Sequence, residues 1–327
     1  MTTSGTVATT VIDTAKLIEH AVRRVGLAAA IQTPEIVQIA KESLYMLLLS
    51  LANRGLNLWC VEKQFIGLET GRAFYDTPAG TIDLLNVIYS QATRAAGTDS
   101  STATSATTQL DTSTTIYRIG VQLSAVAASD TLVLSSSPDG VVWTTRATET
   151  RTDWTTSGWY WFELDPPVDD VYFRASFTNS ATFSEFYLAS DVVDLPVSQW
   201  NRDTYAVMTR KEQQGRPSTN YFFDKQLTPR VALWPTPNNN YDHLTVWRHR
   251  QVQDIGSLTQ QLDVPQRWVE DIVWQLALRI GFELPGVDPA RLKMLSEMAE
   301  KHQFEAELEE TDGADTTFDP GIAGYTA

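Results

Sequence analysis

Between about residue 91 and residue 195 the chain changes its pattern. Lys disappears, Ser and Thr fill roughly a third of positions, and apolar residues recur at every second place. On both sides of that stretch Leu, Ile and Arg recur at helical spacing. A helical pattern cannot sit as a strand, so the chain needs two kinds of core. Its 327 residues leave room for two of ordinary size. The pattern predicts an α+β multidomain protein. A discontinuous helical domain takes 1–90 and 196–311 and carries a small antiparallel β element. An all-β sandwich is inserted at 91–195, and 312–327 form an extended tail.

Thr33-Pro34 reads as a helix start, because the Thr hydroxyl can accept free N–H groups and Pro suits the first helical position. That helix is predicted to reach about Asn53, with Gly55 ending it. It is apolar most of the way round, Leu44 and Leu48 included, and should be covered on several sides. A shorter helix is expected over 12–25. Pro265 opens another, with Trp268, Ile272 and Leu276 on one broad apolar face; Gly286 breaks it, and Asp288-Pro289 starts the last. Strand-like pieces lie at 57–66, 71–76 and 82–89. In the central stretch, 95–108 is low in complexity and is expected to be loop. Strands are predicted at 116–123, 131–135, 159–164, 171–177 and 185–190, with a tight turn at Pro138-Asp139-Gly140. Strands with no helix between them indicate a sandwich. After Pro196 a short helix is expected over 197–204, then strands at 220–225, 230–234 and 244–250.

The formal net charge of −15 gives no general attraction to nucleic acid or anionic membrane. Arg248-His249-Arg250, Arg210-Lys211 and Arg216 come closest to a basic patch, and suit an acidic partner or a plain solvated face. Cys60 is the single cysteine and has no internal partner. The N-terminus lacks the basic and apolar regions of a signal peptide, and the apolar cluster 44–51 is too short to span a bilayer, so no membrane association is expected. The histidines are scattered: His243 and His249 share a strand face without a carboxylate or Cys at ligand spacing. Gly67 to Gly71 lacks the Lys of a phosphate loop, and neither a Gly-x-Ser-x-Gly elbow nor a His-Glu-x-x-His pair occurs. The expectation is a protein that is not an enzyme and needs no cofactor or metal. Trp154 and Trp159 are candidates for stacking on sugar rings, although alternate residues of such a strand also fill a core. Phe318, Ile322 and Tyr325 read as docking anchors in a tail with no fold of its own.

Two resemblances add to this reading. The flanking segments, through Asn53-Arg54-Gly55, Gly71-Arg-Ala-Phe-Tyr-Asp-Thr-Pro, Val231-Ala-Leu-Trp-Pro-Thr-Pro and Val264-Pro-Gln-Arg-Trp-Val-Glu-Asp, resemble the head-to-tail adaptor (head-completion) proteins of short-tailed bacteriophages. That resemblance implies a helical adaptor core in a homo-oligomeric ring, a dodecamer, at the portal–tail junction of a virion. The portal protein and a tail or nozzle protein would be partners, with DNA passing through the lumen without specific binding. In that setting Leu44, Leu48, Trp268, Ile272 and Leu276 would pack the ring, and Phe318, Ile322 and Tyr325 would dock on portal or tail. The central stretch, through Leu134-Ser-Ser-Ser-Pro-Asp-Gly-Val-Val-Trp143, is similar to discoidin-like jelly rolls. The alternative that follows is a carbohydrate-binding surface protein whose β-sandwich binds glycans.

Overall fold

The two periodicities fold separately. In the computed structural model, which describes residues 12–26, 33–51, 58–102, 104–126, 129–152, 154–156, 158–179 and 181–309, the chain forms a helical unit within 1–60 and 251–327 and a β unit over 61–250. The anchors Phe318, Ile322 and Tyr325 lie outside the described residues. The architecture is α+β, with helices and mainly antiparallel sheets; strands Ser198–Trp200 and Asn220–Asp224 pair in parallel, as do Gln214–Gly215 and Thr236–Pro237. Residues 91–195 fall inside the β unit. Their proposed limits lie within continuous strands, Thr81–Arg94 and Thr182–Pro196.

The helical unit holds α1 (Thr14–Val25), α2 (Pro34–Leu51), α4 (Gln266–Glu283) and α5 (Pro289–Glu309); α3 (Arg202–Val207) belongs to the β unit. Asp13 caps α1 by accepting from the Lys16 N–H at 2.9 Å, and Gly26 ends the helix at φ 100°, where a side chain would be strained. Leu17, Ile18, Ala21, Val22 and Val25 form the stripe that α1 buries. It meets a core from α2 and α4 that includes Leu44, Leu48, Trp268, Ile272 and Leu276, none more than 4% exposed. These five side chains, expected at a ring interface, are therefore spent within one chain. Each buries enough apolar surface to contribute about 1.5–3 kcal/mol. Trp59 tilts against Trp268 with ring centroids 4.9 Å apart, beside the buried thiol of Cys60.

The β unit contains seventeen strands among the described residues. In chain order they are β1 (Val61–Gly67), β2 (Phe74–Asp76), β3 (Thr81–Arg94), β4 (Gly97–Thr102), β5 (Ser105–Leu110), β6 (Ile116–Ala125), β7 (Asp130–Ser137), β8 (Thr144–Arg151) and β9 (Tyr160–Val168). They continue as β10 (Tyr172–Phe177), β11 (Thr182–Pro196), β12 (Ser198–Trp200), β13 (Gln214–Gly215), β14 (Asn220–Asp224), β15 (Arg230–Trp234), β16 (Thr236–Pro237) and β17 (His243–Arg250). The main sheet has the order β1-β17-β3-β11-β6-β9, a second β4-β5-β10-β7-β8 and a third β12-β14-β15-β2. The 95–108 stretch, expected as loop, forms the β4–β5 hairpin, because Ala106, Thr108 and Leu110 alternate inward. The 197–204 helix is replaced by β12 and then α3, which starts one turn late because Asn201 caps it, accepting from the Thr204 N–H at 2.7 Å.

Alternation along the main sheet separates its two faces. Ile119, Val121 and Leu123 of β6, Phe162 of β9 and Phe186 and Leu188 of β11 join the second sheet's Leu132, Leu134, Phe173 and Ala175 in one core. The same face at the β1–β17–β3 end packs Leu244, Val246 and Tyr89 with Tyr221, Phe223, Val231 and Leu233 of the third sheet. The opposite face gathers Phe65, Ala92, Trp159, Trp161, Tyr187 and Ala189. Although β1 and β9 are the two edges of the main sheet, the sheet curls until they meet. Gly67 makes this closure possible. A Cβ there would stand 2.8 Å from the backbone N and the Cβ of Trp159, and closer still to its carbonyl oxygen. Lys63 Nζ then reaches Glu163 at 2.5 Å across the seam.

Candidate functional site

The seam between β1 and β9 opens beside β8, the outer strand of the second sheet, into a groove of roughly 390 Å³. Its walls come from Gln64 and Phe65 of β1, Glu149 and Arg151 of β8, and Tyr160, Phe162 and Glu163 of β9. Volume and lining fall in the range of small-ligand sites, where ring faces supply contact area and a few polar groups set orientation. The rings are held firmly. Tyr160 packs edge-on against Trp154 (4.7 Å), and its hydroxyl accepts from the Thr155 N–H at 2.7 Å. The Arg151 guanidinium stands 5.5 Å from the Trp154 ring and 5.6 Å from Tyr160, and its Nε donates to Glu149 at 3.0 Å. Lys63 lies 5.4 Å over Phe65 while pairing with Glu163. The groove thus offers an amide, two carboxylates and a guanidinium around partly exposed aromatic rings.

Beneath it lies a buried polar cluster on the inner face of the curled sheet. Arg118 Nη1 donates to His243 Nε2 at 2.7 Å and to Thr245 Oγ1 at 3.2 Å, and Nη2 donates to Asp194 at 3.2 Å. His243 stacks on Trp161 with centroids 4.3 Å apart. Burial, reinforced by the Arg118 charge, holds the His243 pKa well below the ordinary imidazole value, so the ring is neutral and its Nδ1 carries the proton. Further along the sheet Asp242, fully buried, accepts from Tyr89 Oη (2.7 Å), from Arg216 Nε and Nη2 (2.8 and 3.0 Å) and from Asn239 Nδ2 (2.8 Å). These groups hold strands together, and among the described residues no cluster of His, Cys, Asp and Glu could hold a metal ion.

The structure places Trp154 behind the groove wall and Trp159 in the groove lining, both almost wholly covered. Trp154 is 4% exposed, and its Nε1 donates to the Asp130 carbonyl at 3.0 Å. Trp159 is 5% exposed between Trp161 and Tyr187. Both expose little ring surface to a sugar; the more exposed rings are those of Phe65, Tyr160 and Phe162. Arg248 and His249, read as surface groups, are buried as well. Arg248 pairs with Glu62 and donates to the carbonyls of Pro78 and Ala79 at 2.9 Å, so it belongs to no basic patch. Sequence reasoning missed Gln64, Glu149 and Arg151, whose strands meet only in the folded sheet.

No family model matches the sequence, and no curated protein matches it. Solved structures do. One is the CBM32 of AlyQ in complex with 4,5-unsaturated mannuronic acid, 11% identical over 34% of this chain and 98% of that chain, with a TM-score of 0.23. Another is CBM32-1 from a family 31 glycoside hydrolase of Clostridium perfringens, 15% identical over 42% and 97%, TM-score 0.23. A third is chitosan-binding module 1 from a chitosanase/glucanase of Paenibacillus sp. IK-5, 18% identical over 34% and 98%, TM-score 0.20. These similarities fall on carbohydrate-binding modules, not on phage adaptor proteins, and they overturn the adaptor expectation. With it go the portal and tail or nozzle partners, the dodecameric ring, the DNA lumen and the place in a virion. At this identity the likeness transfers no binding residue. Among the described residues no helix is long and apolar enough to cross a membrane.

Proposed function

We propose that the protein is a non-catalytic carbohydrate-binding protein and that its β unit holds a glycan in the β1–β8–β9 groove. The observation that carries this reading is the lining: partly exposed rings of Phe65, Tyr160 and Phe162 interleaved with Gln64, Glu149, Arg151 and Glu163. A pyranose has an apolar C–H face and a rim of hydroxyls. The rings suit the first, and planar amide, carboxylate and guanidinium groups suit the second. The ring walls are fixed before any ligand arrives, by the Trp154 and Thr155 contacts to Tyr160, which lowers the ordering cost of binding. In this reading the two sheets around their shared core form a jelly-roll-like module over 91–195, and β1 completes its binding face.

A glycan array followed by titration calorimetry tests the proposal. Saturable binding of a neutral oligosaccharide is expected, weakened about tenfold, or ~1.4 kcal/mol, by Arg151→Ala or Gln64→Ala. Trp143→Ala serves as the control: the Trp143 ring stands under Arg174, 4.1 Å away, and does not line the groove. Absence of any saturable glycan binding at millimolar concentration, or binding indifferent to both groove variants, would sink the reading.

A further inference from the structure

A second surface of the β unit lies outside the sandwich core, on the outer face of the third sheet. Strand register puts Trp200 opposite Phe222, Asn220 opposite Trp234 and Ala232 opposite Phe74, all on the face turned away from the Tyr221, Phe223 and Leu233 core. Trp200 and Trp234 stack with centroids 5.3 Å apart, and Tyr205 of α3 stacks on Phe222 at 5.1 Å. Phe74 is 38% exposed, and the others are only partly covered. Next to this platform the loop 208–213 borders a shallow, open depression. The loop is tied down on both sides: Trp234 Nε1 donates to the Arg210 carbonyl at 3.0 Å, and the Thr236 N–H donates to the Gln213 carbonyl at 2.8 Å.

The charge here runs against that of the chain. Residues 198–234 hold six basic and three acidic residues, a surplus of three, in a protein of net charge −15. Arg216, Lys225 and Arg230 are paired with Asp242, Asp83 and Asp224. Arg202, Arg210 and Lys211 are exposed, and the ion pairs of the described residues do not include them; Lys211 Nζ sits 5.0 Å over the Tyr205 ring. Asp203 and Glu212 are the acids left beside these three, so the exposed cations exceed the exposed acids by one, and Arg210 and Lys211 stand together next to the aromatic area, which fits a ligand that is both flat-faced and anionic.

We propose that this platform binds an anionic polysaccharide, one carrying a carboxylate or sulfate on its sugar rings, with Arg210 and Lys211 receiving the charge and Trp200 and Trp234 receiving the ring faces. Single-stranded nucleic acid shares the charge but fits less well. Such a strand is held by a groove of positive charge that tracks its backbone. Three cations are also few for a chain bearing a phosphate at every residue. The proposal rests on the glycan-binding reading only for its ligand class; its residues are separate from those of the groove.

The test uses the full chain with Gln64→Ala/Arg151→Ala, which weakens the groove at two of its polar positions, and titrates it with oligogalacturonate at low and moderate salt. Binding is expected, at least tenfold weaker for the methyl-esterified oligomer, at least tenfold weaker on Arg210→Ala/Lys211→Ala, and weakened by salt. Both charge positions are exposed, so circular dichroism of the double variant should match the parent. Equal binding of the esterified oligomer, indifference to the double variant, or oligothymidylate bound as tightly as the uronate would each overturn the proposal, as would no binding at all. Neutral-glycan binding weakened by Gln64→Ala/Arg151→Ala while uronate binding is unchanged separates the two sites. Failure at one leaves the other standing.

Discussion

Gly67→Ala tests the closure of the main sheet, on which the groove depends. An added methyl would lie 2.8 Å from the backbone N of Trp159 and closer still to its carbonyl oxygen, whereas ordinary contact begins at 3.4 Å, so β1 and β9 must part by more than about 0.6 Å (3.4 − 2.8). The obstacle is backbone and cannot rotate aside. The separation also stretches the Lys63–Glu163 pair and loosens Phe65 against the Trp159–Trp161 cluster. Overpacking of this kind costs about 3 kcal/mol, and the reduced freedom of the unfolded chain returns about 0.4–1 kcal/mol, leaving a loss of roughly 2–3 kcal/mol. Urea unfolding followed by near-ultraviolet circular dichroism should show an earlier midpoint for the β unit, and glycan titration should show weaker binding in native buffer. Gly281→Ala, in the middle of α4, is the natural contrast. Its methyl meets only flexible side-chain tips, Leu292 at 2.9 Å and Leu295 at 3.4 Å, and helix propensity favours Ala there by about 1 kcal/mol. If Gly67→Ala leaves both the midpoint and the affinity unchanged, then β1 and β9 are not held by that approach and the account of the seam fails.

Protonation of His243 should limit stability in mild acid. Its folded pKa is depressed, so the unfolded chain takes up the proton first. The stabilisation is complete above the ordinary value near 6.5 and is lost as the pH falls below it, at up to about 1.4 kcal/mol per pH unit. His249 adds a smaller effect of the same sign. His243→Gln should flatten urea midpoints measured between pH 7 and 5, and an unchanged slope would contradict the assignment. Asp242→Ala strips Tyr89, Arg216 and Asn239 of their shared acceptor and should destabilise the β unit by about 3–5 kcal/mol in thermal unfolding; a change below 1 kcal/mol would show that Asp242 is not the hub its contacts describe.

The helical unit was largely legible because each helix carries its own signals. Pro34 and Pro265 open α2 and α4, Gly286 at φ 86° separates α4 from α5, and the Trp268–Ile272–Leu276 spacing marks the buried face. In the β unit, strands with apolar alternation showed themselves, as in Tyr172–Phe177. Strand β8, Thr-Thr-Arg-Ala-Thr-Glu-Thr-Arg, did not. It has no apolar alternation, since it is an edge strand made by pairing with β7, and so Glu149 and Arg151 passed unnoticed. The Trp candidates failed for a related reason. Alternation says that Trp159 and Trp161 share a face opposite to Tyr160 and Phe162, but not which face is covered. That is decided by the curl, which seals the Trp face against Phe65 and Tyr187. Gln64 and Arg151, eighty-seven positions apart (151 − 64), meet through sheet order alone.

The way the sheets end also bears on how the protein behaves at high concentration. An open strand edge is a template for the backbone of another molecule, and flat apolar edges seed fibrils. In the main sheet the two terminal strands answer each other, so the strand Val61–Gly67 is not left with a bare outer margin. The second sheet does end openly, in β4 and β8, but those strands are built from Thr, Ser, Gly and charged residues, with Asp99, Arg146, Glu149 and Arg151 among them. For these two sheets colloidal stability is thereby written into strand order: the ends of the main sheet are closed on each other, and the open ends of the second are solvated and charged.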